Sequence, residues 1–364
     1  KMFKISPDET LKIIQELYEK KLVTYPRTDA RVLSTAVAKE IYKNIGGLRN
    51  FGPLADFAAK ALDSGTWKMI ARTKYVNDKQ ITDHYAIIPT GQGFGALRSL
   101  NPLAAKVYEL IGRRFLSIFY PPAVYQKFSL RIEKQGEQFF AAYKVLAEAG
   151  YLEVANVPSK KKMENSGNSR GENSGAGQET QAEELDPGHD EKAKNLLAML
   201  SGLKKGQKLK LLKFDIKEGE TSPPKRYTSG SMILAMENAG QLIDDEDLRA
   251  QIKGSGIGTS ATRAEILKKL VANKYLALNK KTQVLTPTQL GEMIFCVVNV
   301  SIRSLLNPEL TASWEKGLTY VAEGTISQEE YMVKLTTFIR RHTDQVMAGS
   351  YQTALKGMFD QLSP

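Results

Sequence analysis

A phenol, a proline and a guanidinium stand side by side at Tyr25, Pro26 and Arg27, inside the run LVTYPRTDA. A residue that precedes proline is driven to an extended backbone. Proline fixes its own φ and donates no N–H. The turn is therefore stiff, and it holds phenol and guanidinium in a set relation. A phenol, with an ordinary pKa of about 10, is a weak nucleophile at neutral pH. It becomes useful where positive charge stabilises both the phenolate and the group it attacks. Arg27 offers such a charge, in a fork that matches two phosphate oxygens. The chemistry that fits is attack on a phosphate. The competing reading packs Tyr25 at a strand end and pairs Arg27 with Asp29. For an isolated Tyr-Pro-Arg triplet that second reading is the commoner one.

Three further stretches hold candidate chemistry. His84 lies in ITDHYAIIPT, ahead of an apolar run that ends at Pro89. It is either a hydrogen-bonded structural residue or a proton carrier and phosphate contact near a nucleophile. His189 falls in a polar loop and His342 follows Arg340-Arg341 on a helix face, so both are weaker candidates. GSGIGTSATRAEI, Gly254–Ile266, combines glycines that let backbone approach a ligand with Thr259, Ser260 and Thr262, which are good caps. Free N–H groups at such a helix start favour phosphate; a plain capped helix is the other reading. Its glycine spacing matches neither dinucleotide nor P-loop patterns, and no G-K-[ST] occurs, so no nucleotide hydrolysis is expected. The acidic run DDEDLR, Asp244–Arg249, reads as an exposed helix start rather than a metal site.

Charge distribution narrows the partner. The 364 residues carry a net charge of +11. Glu164 to Glu191 holds eight acids and one arginine, a net of −7, so the rest of the chain carries +18. A strongly basic folded part beside an acidic loop points to a polyanion. The one cysteine, Cys296, excludes an intrachain disulfide and a cysteine-rich zinc site, and fits a reducing, cytoplasmic setting. No apolar run reaches the length of a membrane span and no signal peptide opens the chain. Lys1 sits in a polar lead-in to a helix, so the chain reads as a piece of a longer protein.

The elements that must position these residues follow from periodicity. Leu11, Ile14, Leu17 and Tyr18 predict an amphipathic helix over 8–21, ending before the β-prone LVTY. Ser34 caps a helix through Ile45 that Gly46-Gly47 stops, and 102–119 is a further helix before Pro121-Pro122. VYQKFSLRIEKQGEQFFAAYKVLAEAGYLEV alternates in short runs around a glycine turn and predicts antiparallel strands. KLKLLKFDIKEGETSPPKRY resembles another strand pair. The Ser, Gly, Asn and Glu-rich stretch between them has no aromatic residue and is expected to be a disordered loop over about 158–191. Helices return from Ser229: SGSMILAMENAG, TSATRAEILKKLVANKYLAL, and 288–298, 310–322 and 327–347, with a turn and strand at NKKTQVLTPT.

Taken together and in order, these segments resemble the type IA DNA topoisomerases. LVTYPRTDARVLS is similar to that family's active-site motif and HYAIIPT to its histidine motif. PPKRYTSGSMILAMENAG, GIGTSATRAEILKKLVANKYL, LTPTQLG and LTASWEKGLTYVAEG continue the match, which runs from about Lys4 to Tyr331. The Tyr-Pro-Arg and G-I-G-T-x-A-T-R forms are closer to the topoisomerase III branch. The resemblance implies an α+β, mainly helical, multidomain core. Residues 1–118 would be a helical domain carrying the tyrosine, 119–228 a partial antiparallel β arch, and 229–364 a helical single-strand DNA-binding domain.

The same resemblance implies an activity. Tyr25 would attack the backbone of single-stranded DNA and form a 5′-phosphotyrosine link; another strand passes, and the nick reseals without ATP. Arg27 would hold the scissile phosphate and His84 would sit near the backbone and tune cleavage. Thr262 would contact the strand from its helix with Thr259, Ser260 and Arg263 as neighbours. Some relatives carry an arginine where Asn273 stands, and Lys274 would take over that phosphate contact. The family's N-terminal Toprim domain, with its glutamate, D-x-D carboxylates and Mg²⁺ site, is not in the sequence, so relaxation is not expected of this chain alone. The expected location is cytoplasmic, at the nucleoid. A non-catalytic single-strand-binding module is the alternative. A tyrosine recombinase would place its nucleophile near the C-terminus, after a set of arginines and histidines.

Overall fold

The computed structural model describes residues 2–155, 183–185 and 191–362, except 82, 217, 222, 244, 245, 247, 248 and 250–255. The fold is α+β, mainly helical and multidomain. The chain divides into two compact units, one of Lys1–Tyr18, Tyr25–Asp29 and Ser222–Pro364, the other of Glu19–Thr24 and Ala30–Thr221.

In the second of these units three helices build the core. Ser34 caps α2 (Thr35–Gly47), its hydroxyl accepting the Val37 N–H at 3.1 Å, as the sequence predicts. α3 (Gly52–Asp63) and α4 (Pro102–Ser117) each begin with proline in the first turn, and Asn101 caps the latter at the Ala104 N–H, 2.8 Å. Ile41, Ile45, Leu48, Leu54, Tyr108 and Leu116 are fully buried. Gly47 ends α2 where the backbone of Gly91 passes: a Cβ at Gly47 would lie 2.0 Å from the Gly91 carbonyl oxygen.

The same unit carries the sheet. β1 (Val124–Lys134) and β2 (Glu137–Glu148) form the expected antiparallel hairpin, in register from Tyr125 opposite Leu146 to Lys134 opposite Glu137, with a one-residue shift between Val124 and Tyr125. Its two-residue turn has positive φ at both Gln135 (54°) and Gly136 (87°), the twist-matched geometry for a tight hairpin. Gly150 leads into a single helical turn, α5 (Leu152–Ala155), where strand was expected.

Two other segments fold differently from their sequence pattern. Within the loop expected over about 158–191, residues 183–185 form β3 (Glu183–Leu185), parallel to Tyr143–Val145, and α6 (Glu191–Gly202) begins at Glu191. Leu185 is the reason: it packs with Val145, Ala193 and Leu200, so one apolar residue anchors an otherwise polar stretch. The remainder of that loop lies outside the described residues. The strand pair expected over KLKLLKFDIKEGETSPPKRY does not form among its described residues. Alternation alone builds no ladder without a partner in register. Leu212 and Ile216 stand 85% and 92% exposed, and the segment touches β2 through Phe214 and Phe139, ring centroids 5.6 Å apart.

The other unit is helical with one small ladder. It holds α1 (Pro7–Glu19) through Tyr18. α7 (Ser229–Glu237) opens with a reciprocal capping box between Thr228 and Ser231. α8 (Arg263–Ala272) stops short of the expected helix, because Lys274 adopts a left-handed φ of 58° and turns the chain into β4 (Leu276–Leu278). β4 pairs antiparallel with β5 (Leu285–Pro287). Helices α9 (Gln289–Ser301), α10 (Pro308–Ala322), α11 (Gln328–Ala348) and α12 (Gln352–Leu362) follow. Trp314 of α10 meets Tyr331 and Phe338 of α11 edge-on, at 5.7 and 5.6 Å. No helix among the described residues is long and apolar enough to cross a membrane.

Candidate active site

The chain leading into Tyr25 is pinned before the tyrosine is reached. Leu22 and Val23 are buried. Thr24 donates its N–H to the Ile88 carbonyl at 3.0 Å, and its hydroxyl accepts the Ile88 N–H at 2.9 Å. That hydroxyl also donates to the Ala86 carbonyl at 3.2 Å. Val23 bridges Pro89, and the Thr90 N–H reaches the Leu22 carbonyl at 3.0 Å. The apolar run after His84 is thus hydrogen-bonded alongside the three residues that precede Tyr25. It is fixed from its other side too: the Asn44 amide donates to the Pro89 carbonyl at 2.8 Å and Ala86 N–H to Val32 at 2.9 Å. His84 itself is exposed.

From Tyr25 to Asp29 the chain belongs to the unit that contains the glycine segment. Tyr25 is half-buried, its ring edge-on to Tyr18 at 5.4 Å and 82°. Pro26 is buried and Arg27 exposed. Asp29 pairs with Arg263, 234 residues on, at 3.3 Å between Oδ1 and Nη1. Arg27, by contrast, has no ion pair among the described residues. The arrangement in which Arg27 pairs with Asp29 is therefore not the one adopted.

The glycine segment is built around Arg263. Gly256 has a φ of +64° and a Cβ there would fall 2.5 Å from the Met236 carbonyl oxygen, so only glycine fits against the end of α7. Ile257 N–H donates to that same carbonyl at 2.8 Å. Thr259 and Thr262 then close on each other. The Thr262 hydroxyl accepts the Thr259 N–H at 2.8 Å, and the Thr259 carbonyl accepts N–H groups of Thr262 and Arg263, both at 3.0 Å. Arg263 is 3% exposed. Its guanidinium donates to the carbonyls of Ile257 at 3.0 Å and Gly258 at 2.9 Å as well as to Asp29. Thr259 and Thr262 are exposed and Ser260 half-buried.

The structure therefore brings the tyrosine turn and the threonine-rich helix start together through one buried guanidinium. Arg263, expected as a neighbour of the DNA strand, occupies the interior of this junction. Asp29 is the member that sequence reading did not single out as a ligand of Arg263; nothing local signals a partner so distant along the chain. Lys274 is exposed just past α8, its carbonyl accepting the Thr288 hydroxyl. Asn273 is the helix C-cap and is exposed. His342 is engaged with Phe338, by a 2.9 Å contact to its carbonyl and a ring contact at 4.1 Å. His189 lies outside the described residues, as do Asp244, Asp245 and Asp247 of the acidic run.

Among the described residues a magnesium ion finds no donor set: no three His, Cys, Asp or Glu side chains converge as metal ligands.

Comparison with known proteins supports the family resemblance of the sequence. Residues 1–333 match the family model described as DNA topoisomerase. DNA topoisomerase 3 of Bacillus licheniformis is 30% identical over 354 residues, covering 96% of this chain and 43% of that protein. That of Shouchella clausii is 31% identical over 352 residues, with 96% and 42% covered. Full-length topoisomerase I from Thermotoga maritima superposes with a TM-score of 0.49 and 20% identity, over 94% of this chain and 46% of that one. The chain belongs to the DNA topoisomerase family, and the curated relatives given above are named DNA topoisomerase 3. It spans about 43% of the length of the curated relatives it matches.

Proposed function

We propose that this chain carries the strand-cleaving and rejoining part of a type IA topoisomerase that acts on single-stranded DNA. The phenol oxygen of Tyr25 attacks a backbone phosphorus as the phenol loses its proton. The bond from phosphorus to the 3′ oxygen breaks, and the released 3′ hydroxyl takes up a proton. The product is a phosphotyrosine at the 5′ end of the downstream fragment. One phosphodiester is exchanged for another, so the reverse attack by the 3′ hydroxyl reseals the strand with no ATP. Arg27 contacts the non-bridging oxygens, where charge accumulates in the transition state. His84 contacts the backbone near the nick. Thr259, Ser260, Thr262 and Lys274 hold the flanking strand, and Arg263 acts through Asp29 and the glycine segment. In the whole protein a Toprim domain supplies the Mg²⁺, and the enzyme works on chromosomal DNA at the nucleoid.

The observation that carries this reading is the Asp29–Arg263 pair. It ties the stiff turn bearing phenol and guanidinium to a helix start suited to phosphate, and it leaves Arg27 exposed for a ligand. Covalent capture tests it. The chain is mixed with a 3′-labelled single-stranded oligonucleotide and Mg²⁺, with and without the family's Toprim domain, and quenched in detergent. A labelled adduct that disappears in Tyr25→Phe establishes the nucleophile and the polarity of the link. Tight binding with no adduct under any condition favours a binding module instead.

A further inference from the structure

Three dipeptides in the unit that lacks Tyr25 repeat one pairing, a lysine beside an aromatic ring. Lys43 Nζ lies 6.0 Å from the Tyr42 ring centroid, Lys68 5.7 Å from Trp67, and Lys74 5.6 Å from Tyr75. Tyr42 and Trp67 also touch, centroids 5.5 Å apart and planes inclined by 40°. That contact joins the outer face of α2 to the 3-10 turn Thr66–Arg72. Neither ring is needed for the core, which α2 supplies through Ala38, Ile41 and Ile45. Tyr42 is 42% exposed. Trp67 is half-buried, its Nε1 donating to the Leu62 carbonyl at 3.3 Å, so the indole is held in place with part of its surface open.

The charge around the rings has one sign in excess. Lys39, Lys43, Lys68 and Arg72 are exposed on these two elements. Glu40 is the acid among them, paired with Lys43 at 3.0 Å, and Asp63 lies just ahead of the turn. Asp78, near the start of α2, is occupied by the Thr35 N–H and hydroxyl at 2.8 and 2.6 Å. A protein partner seated on exposed aromatics would meet uncompensated cations. A strand of nucleic acid supplies both complements at once, π-faces for the rings and phosphates for the lysines.

Resting on the function given above, we propose that Tyr42, Trp67, Lys43 and Lys68 form a further contact surface for single-stranded DNA. Bases stack on the two rings while the lysines hold phosphates on either side. The surface needs neither the Tyr25 nucleophile nor a metal, so its test is run in a Tyr25→Phe chain in which no adduct forms.

The sequence contains two tryptophans, Trp67 and Trp314. With Trp314→Phe, emission reports on Trp67 alone. Titration with a short oligothymidylate is expected to quench that emission to saturation, and the joint change Lys43→Ala, Lys68→Ala to weaken the quench-monitored affinity about tenfold. Inorganic polyphosphate, which offers charge without bases, is expected to leave the emission unchanged. Should Trp314→Phe fail to fold, fluorotryptophan labelling reads both indoles by fluorine NMR, with Trp67→Phe assigning the resonance. Movement of the Trp67 resonance on adding the oligonucleotide supports the surface. Binding with the Trp67 signal unmoved, no binding at all, or an equal response to polyphosphate overturns it.

Discussion

Tyr25→Phe removes one hydroxyl from a half-buried ring and leaves its edge contact with Tyr18 intact. Adduct formation is expected to vanish while oligonucleotide affinity stays within about twofold, because only the hydroxyl reacts. Arg27 is exposed, so its substitution tests chemistry with little effect on packing. Arg27→Ala is expected to slow single-turnover cleavage about 10²–10³-fold, and Arg27→Lys to recover part of it, since the charge remains and the fork is lost. Asp29 is coupled to chemistry only through geometry. Asp29→Asn keeps an acceptor for Arg263 and, at a half-exposed side chain, costs about 1 kcal/mol in stability. A matching drop in cleavage, with an unchanged Arg27→Ala effect on top of it, is the signature of a positioning role. At this scale the sequence offers Tyr25, Arg27 and the threonines as candidates, because they sit in short local patterns. It does not show that Asp29 reaches Arg263, since that pairing is decided by the fold.

Elements that close their hydrogen bonds within a few residues were readable in advance. Ser34 caps the helix that follows it, and the Gln135-Gly136 turn sets the hairpin. Elements that depend on a distant partner were not. β3 exists because Leu185 finds Val145, and residues 208–216 stay unladdered for want of a strand beside them. Lys274 ends α8 early by a left-handed turn that glycine or asparagine would have announced and lysine does not. Two substitutions probe this level. Gly256→Ala forces an L side chain into a left-handed φ and onto the Met236 carbonyl, and is expected to cost about 2 kcal/mol or more, read as a fall in melting temperature. Tyr108→Phe goes the other way. The Tyr108 hydroxyl is buried in α4 with no hydrogen-bond partner among the described residues, and burial pushes its pKa upward. Removing an unsatisfied buried hydroxyl while the ring keeps its contact with Phe51 is expected to leave the unit as stable or about 1 kcal/mol more stable.

For the whole molecule the governing quantities are charge and, on the proposed function, the supply of a metal. A net charge of +11, with +18 outside the acidic run 164–191, sets strong salt dependence for any DNA complex. The logarithm of affinity for a single strand is expected to fall against the logarithm of salt with a slope of about −0.7 per phosphate neutralised. Substituting Lys43 and Lys68 together makes that slope shallower by up to about 1.4, whereas Tyr25→Phe leaves it unaltered. Binding and chemistry separate cleanly on this basis. Relaxation adds a further demand. The described residues offer no carboxylate cluster for Mg²⁺, and the chain spans about 43% of its curated relatives. We therefore expect the pure chain with Mg²⁺ to bind single strands in a salt-dependent way and to leave a negatively supercoiled plasmid unrelaxed. Supplying a Toprim domain in trans is expected to restore relaxation with wild-type chain and not with Tyr25→Phe. Efficient Mg²⁺-dependent relaxation by the pure chain alone would show that carboxylates within it, in or out of the described residues, assemble the metal site without help.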